Sequence, residues 1–224
     1  MALAPLFSII ISGASLALSN LGLAASAGIS PAQIAEDTAP GIVEIEVLRS
    51  GEAIAAGSGF IIDPSGLIVT NYHVIEKGSE LVTRIESGEE FHRVFVVNHS
   101  ERFDLAILRI SAMELPAVRL GASSDLSVGD EVFVFSNPMG FARSFSQGIM
   151  SARRVVDGIE ILQVSAPISS GSSGGAVLDS GGNVIGVATA TISEEQNLNI
   201  AIPIEYVKGL LQEESQPREH SEFA

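Results

Sequence analysis

Apolar positions along this chain come in short runs with a two-residue beat, closed off by glycine, proline, asparagine and serine. "GSGFIIDPSGLIVTNYHV" sets two such runs around Asp63-Pro64-Ser65-Gly66, with proline second and glycine fourth, as a type I turn prefers. "LVTRIESGEEFHRVFVVN" repeats the pattern around Ser87-Gly88, and "AVLDSGGNVIGVATATI" turns at Gly181-Gly182. "DLAILRI" is apolar almost throughout and reads as a buried strand. "DEVFVFSNPMG" is a strand running into a proline loop, and "LNIAIPI" a last strand. Helical signals are confined to the ends: a short helix from about Pro31, broken near Pro40, and a closing amphipathic stretch, "IEYVKGLLQEE". About a dozen strands are too many for one six-stranded barrel. The polar, turn-rich "AVRLGASSDLSVGDE" divides them into two comparable sets, so the chain is predicted to be all-β, with two antiparallel barrels joined there.

Composition changes this picture in three places. Hydrophobic residues make up 46% of the 224 positions, but only 5% are aromatic and none is Trp, so the cores must be aliphatic. A formal charge of -15 argues against nucleic acid and anionic membrane surfaces as partners. The absence of cysteine removes disulfides and thiol chemistry. There is no nucleotide-binding loop, and neither a metal nor a cofactor is expected. The apolar run from Leu6 to Leu18 precedes Ala25-Ser26-Ala27, an A-x-A cleavage pattern, and no charged side chain occurs before Glu36. Residues 1–27 therefore read as a signal peptide or, left uncleaved, as a membrane anchor, which predicts a periplasmic or secreted protein. Residues 213–224 are charged, contain Pro217, and read as a disordered tail.

The stretch "SSGSSGGAVLD", Ser169 to Asp179, crowds serine and glycine directly against a buried strand. A flexible linker would not be wedged between "ILQV" and "AVLD". A nucleophile loop would, because glycines let backbone N–H groups converge around one serine without a Cβ penalty. Ser173 is the candidate nucleophile, and the N–H groups of Gly171 and Ser173 are the candidate oxyanion donors. His73, at the end of "LIVTNYHVI", is by itself no more than a half-buried corner histidine. Asp104, opening "DLAILRI", is by itself no more than a strand end. His92, His99 and His220 read as solvated. The order His73, Asp104, Ser173 joins the three candidates. Among serine hydrolases it is the order of the two-barrel, chymotrypsin-type proteases, and subtilisin-like and α/β-hydrolase enzymes use others. It places His73 and Asp104 in the first strand set and Ser173 in the second, with a site between them.

At this level the chain resembles the trypsin-like serine proteases of the HtrA/Deg group. The segments that carry the resemblance are "GSGFIIDPSGLIVTNYHVI", "DLAILRI", "FSNPMGF", "SQGIMSA", "GSSGGAVLDSGGNVIGV" and "NLNIAIPI", in order over roughly residues 32 to 212. The group usually has Asn where Ser172 stands and Pro where Ala176 stands. The resemblance implies two six-stranded chymotrypsin-type barrels with a short C-terminal helix. These form a protease domain at 28–212, with the first barrel at about 38–120 and the second at about 121–205, and no PDZ domain. It implies a serine endopeptidase of protein quality control acting on polypeptide substrates, and a homotrimer. It also implies that Pro167, six positions before Ser173, forms the base of the pocket for the residue preceding the scissile bond. With apolar Ala166 and Ile168 beside it, that pocket would take small or aliphatic side chains. The strand at Ala188, Thr189 and Ala190 is expected to pair with an extended substrate. The rival reading is a peptide-binding or chaperone-like module on a protease fold, with little turnover.

Overall fold

The computed structural model describes residues 29–137, 143–169, 171–189, 199–213 and 216–222. The leader at 1–27 lies outside them. Helix α1 (Pro31–Thr38) starts where Ser30 accepts the N–H of Gln33 at 3.2 Å and Pro31 supplies a pre-set first turn. It gives way to a short 3-10 turn at Ala39–Gly41. Strands β1 (Ile42–Arg49), β2 (Glu52–Asp63) and β3 (Leu67–Thr70) follow, then the four-residue helix α2 (Tyr72–Ile75). Strands β4 (Glu80–Arg84), β5 (Glu90–Phe91), β6 (Val94–Ser100) and β7 (Leu105–Ile110) complete the first set. The second set is β8 (Glu131–Ser136), β9 (Ser144–Val156), β10 (Ile159–Val164), β11 (Ala176–Leu178), β12 (Val184–Thr189) and β13 (Asn199–Pro203). Helix α3 (Ile204–Gln212) and the two-residue strand β14 (Arg218–Glu219) end the described chain. The turn at Asp63 closes as its sequence predicts, with Gly66 N–H donating to the Asp63 carbonyl at 3.0 Å.

The second set closes into a six-stranded antiparallel barrel, ordered β10-β13-β12-β11-β8-β9. The first set does not close. It forms a curled sheet ordered β14-β6-β7-β3-β2-β1-β4-β5, with the short strands β14 and β5 at its edges. Both expected halves are present, one a barrel and one an open sheet.

The strands that read as continuous apolar runs are buried on both faces, and period-two alternation explains why. In β7, Ala106 and Leu108 pack inside the first sheet with Ile45, Ile61 and Ile68. Leu105 and Ile107 point the other way, into a shared core with Phe60, Phe133, Phe135, Ile200 and Ile202. Likewise β8 sends Val132 and Val134 into the barrel interior and Phe133 and Phe135 to that seam. The seam between the two halves is thus a hydrophobic core, and it fixes the two sheets as one unit.

The described residues 216–222 of the tail, expected to be disordered, pack on the first sheet. Arg218 and Glu219 pair with Val96 and Phe95, and Arg93 lies 3.5 Å from the Glu219 carboxylate. His220, read from the sequence as solvated, is buried, with Nε2 2.8 Å from the Ile75 carbonyl. Charge-rich composition argues against a core of its own, but strand addition runs on main-chain groups, and the edge of β6 supplies them. His99 is also less solvated than its sequence suggests: it is partly buried and stacked on Tyr72, with ring centroids 5.3 Å apart. Burial holds its pKa below the usual histidine value.

Candidate active site

His73 is the second residue of α2, the single helical turn that follows β3, and Asp104 directly precedes β7. Because β3 and β7 are paired neighbours, two residues remote in sequence meet at one end of the sheet. His73 Nδ1 lies 2.7 Å from Asp104 Oδ2 and 2.9 Å from Oδ1, and the His73 main-chain N–H donates to Oδ1 at 2.9 Å. A carboxylate can only accept, so Nδ1 is the donor in these contacts and Nε2 is left facing away from Asp104. Thr189 Oγ1 donates to Asp104 Oδ2 at 3.1 Å, which ties the carboxylate to the second barrel.

Asp104 has φ of 52°, a left-handed conformation rare outside glycine. Two contacts hold it there: its N–H donates to the Glu101 carbonyl at 3.2 Å, and Asn71 Nδ2 donates to its carbonyl at 2.8 Å. Asn71 is fully buried. The unusual backbone turns the carboxylate back toward α2 while the chain moves on into β7.

Ser173 sits in the loop before β11 and is buried, together with Ser172. The Ser172 hydroxyl lies 3.1 Å from Ser136 Oγ and from Ser169 Oγ, and it accepts from Ser169 N–H at 3.3 Å. In place of a side-chain amide, a cluster of three hydroxyls braces the loop from inside. Gly174 N–H donates to the Ala188 carbonyl at 2.9 Å, and Ala188 N–H donates to the Gly175 carbonyl at 2.8 Å. The Ser173 carbonyl accepts from Ser58 N–H on β2 at 2.8 Å. The loop carrying Ser173 is therefore held on one side by its own barrel and on the other by the first sheet.

A profile described as "Trypsin-like peptidase domain" matches residues 57–187. The chain belongs to the trypsin-like peptidase family. Its relatives in that family are HtrA- and Deg-type serine proteases. It is 37% identical over 172 residues to "Putative serine protease HhoA" of Synechocystis sp., covering 72% of this chain and 43% of that one. It is 34% identical over 164 residues to a "Probable periplasmic serine endoprotease DegP-like" of Pseudomonas savastanoi pv. phaseolicola, covering 70% and 34%. Among solved structures, the HtrA-type protease AlgW with tripeptide superposes with a TM-score of 0.75 at 30% identity, over 82% of this chain and 62% of that one. The serine endoprotease from Yersinia pestis gives a TM-score of 0.72 at 29% identity, over 82% and 65%. The chain spans less than half the length of these two sequence relatives.

In this trypsin-like peptidase the residues expected around the substrate are placed unevenly. Ala188, on β12, exchanges its main-chain hydrogen bonds with Gly174 and Gly175 of the Ser173 loop. Thr189 ends β12, and Ala190 lies outside the described residues. Pro167 is exposed, and its carbonyl accepts from Ser146 Oγ at 2.8 Å. The neighbouring Ala166 is fully buried and packs with Val164, Ala188 and Ala201 inside the barrel, with Ile168 against them. Sequence reasoning passed over Ser58, Thr70 and Asn71. Each is a polar residue inside an apolar run, fully buried here, and that mismatch is the signal that could have found them.

Proposed function

We propose that this chain is a serine endopeptidase in which Ser173, His73 and Asp104 form the triad. The observation that carries the reading is the doubly bonded His73–Asp104 pair, with Nδ1 2.7 and 2.9 Å from the two carboxylate oxygens. Ser173 Oγ attacks the scissile carbonyl carbon while His73 Nε2 takes its proton. The negative charge gathers on the carbonyl oxygen, facing the N–H groups of Gly171 and Ser173, each such donor typically worth about 3 kcal/mol of barrier. The C–N bond then breaks as His73 returns the proton to the leaving amine. Water, activated by the same imidazole, releases the acyl group from Ser173. Asp104 orients the imidazole and stabilises the imidazolium that forms.

The substrate is an extended or unfolded polypeptide, with a small or aliphatic residue before the scissile bond. Support comes from Pro167, six positions before Ser173, and the apolar Ala166 and Ile168 beside it. A lysine or arginine buried there would lack a partner, at a cost of several kcal/mol. Export to the periplasm or beyond, and assembly as a homotrimer, belong to the same proposal. They rest on the leader sequence and on the group resemblance.

One experiment tests the reading: labelling with a fluorophosphonate and digestion of casein, each with wild type and Ser173→Ala. The expected result is labelling and cleavage by wild type alone, with cuts after Val, Ala, Ile or Leu. Folded wild type that neither labels nor cuts would favour the peptide-binding module. A majority of cuts after Lys or Arg would overturn the pocket assignment.

A further inference from the structure

Ser58 interrupts β2 within the small-residue run "AAGSGF" and is fully buried. Its hydrogen bonds reach three separate pieces of the site. Its N–H donates to the Ser173 carbonyl at 2.8 Å, and its carbonyl accepts from Thr70 Oγ1 at 2.7 Å. Its hydroxyl donates to the Gly171 carbonyl at 2.8 Å and accepts from the Asn137 N–H at 2.9 Å. Gly171, Ser173 and Asn137 belong to the second barrel, and Ser58 reaches them from the first sheet. A hydroxyl can donate and accept at once, which is what this position uses.

The Gly171 carbonyl matters because peptide units are planar. Fixing that oxygen fixes the plane of the Gly171–Ser172 peptide, and the Ser172 N–H is turned the opposite way, donating to the Ser169 carbonyl at 2.9 Å. The N–H groups flanking this peptide, those of Gly171 and Ser173, take their directions from it. They are the two proposed oxyanion donors.

We propose that Ser58 is a positioning residue for the oxyanion-binding loop, a latch by which the first sheet sets the peptide plane between the two donors. The proposal rests on the reading of Ser173 as nucleophile. Ser58 touches neither substrate nor reacting atoms; it acts through Gly171. Losing its hydroxyl leaves Asn137 N–H and the Gly171 carbonyl without that partner, and the loop peptide is then held only from its Ser172 N–H side. The defect falls on transition-state stabilisation and spares ground-state binding.

The test compares wild type, Ser58→Ala and the near-isosteric Ser58→Cys, whose thiol is a poor donor and acceptor. Rates on a chromogenic peptide with valine before the scissile bond are normalised by fluorophosphonate active-site titration, so that misfolded protein does not count. A peptide boronate of the same sequence serves as transition-state mimic, and the parent peptide is bound to the Ser173→Ala forms with and without the Ser58 change. The expected result is a kcat lower by about ten- to a hundredfold, short of the roughly hundred- to thousandfold seen when a donor itself is deleted. Boronate affinity should fall in parallel, with KM and parent-peptide affinity within about twofold. Should Ser58→Ala fail to fold, Ser58→Cys carries the same expectation. Unchanged kcat and boronate affinity per titrated site, or a loss borne wholly by KM, overturns the proposal. Wild type that neither labels nor cleaves overturns the triad reading instead.

Discussion

Gly174 stands where the loop carrying Ser173 packs against the first sheet. Its φ is 84°, and a Cβ there would lie 2.1 Å from the Ser58 carbonyl oxygen and 2.4 Å from Thr70 Oγ1. Gly88 has nearly the same φ, 86°, with nothing within 4 Å. The pair separates conformational strain from close approach. Gly88→Ala should cost about 1 kcal/mol for the backbone alone. Gly174→Ala should cost about 2 kcal/mol or more beyond that and abolish fluorophosphonate labelling. Denaturant titration with labelling reads both, and equal costs would mean the contact with Ser58 yields freely. At this scale the sequence displayed groups whose chemistry is unusual for their place: a serine flanked by glycines, a histidine and an aspartate at strand ends. It did not show that Asp104 adopts a left-handed backbone, because aspartate tolerates that region without demanding it. Nor did it show that Ala166 is fully buried while Pro167 beside it is exposed.

Among the elements, β14 is the one that composition concealed. Periodicity finds elements through side chains, and Arg218–Glu219 offers two charges and no apolar face. What holds it is the edge of β6 and the His220 contact to Ile75, two residues from His73. That carbonyl lies at the C-terminal end of α2, where a helix has acceptors left over. His220→Ala should therefore destabilise the protein by about 1–3 kcal/mol, the cost of a buried acceptor losing its donor. A tail merely resting in solvent would give a change within about 0.5 kcal/mol. Urea midpoints distinguish the two. The long apolar strands were legible for the opposite reason: burial on both faces leaves runs such as "DLAILRI" with no polar face to confuse the pattern. The failure of the first sheet to close was not legible, since closure depends on strand tilt and stagger, not on which residues are apolar.

Over the whole molecule, α3 ties the connection between the two halves to the second barrel. Ser123 donates to Glu205 through its N–H at 2.8 Å and its hydroxyl at 2.5 Å. Burial by itself would raise the Glu205 pKa. The Ser123 hydroxyl and N–H, the main-chain N–H of Glu205 and the charge of Lys208 outweigh it and leave the pKa below the usual glutamate value. A depressed carboxyl pKa contributes stability that is full above the unfolded value, about 4.3, and is lost as pH falls through the folded one. The stability advantage of wild type over Ser123→Ala should thus be largest at neutral pH and shrink below about pH 4. Urea unfolding at several pH values measures it, and a gap independent of pH would remove Glu205 from the account. The division of the site between two halves has a further consequence during synthesis. Residues 58 to 104 leave the ribosome before Ser173 exists, and the loop carrying Ser173 is anchored only once Ser58 can reach across. On the proposed activity, an unfinished chain is the kind of polypeptide the finished enzyme cuts. On the same proposal, a copy becomes able to cut only when its own backbone has disappeared into two sheets, so the order of assembly itself keeps a half-made copy from attacking its neighbours.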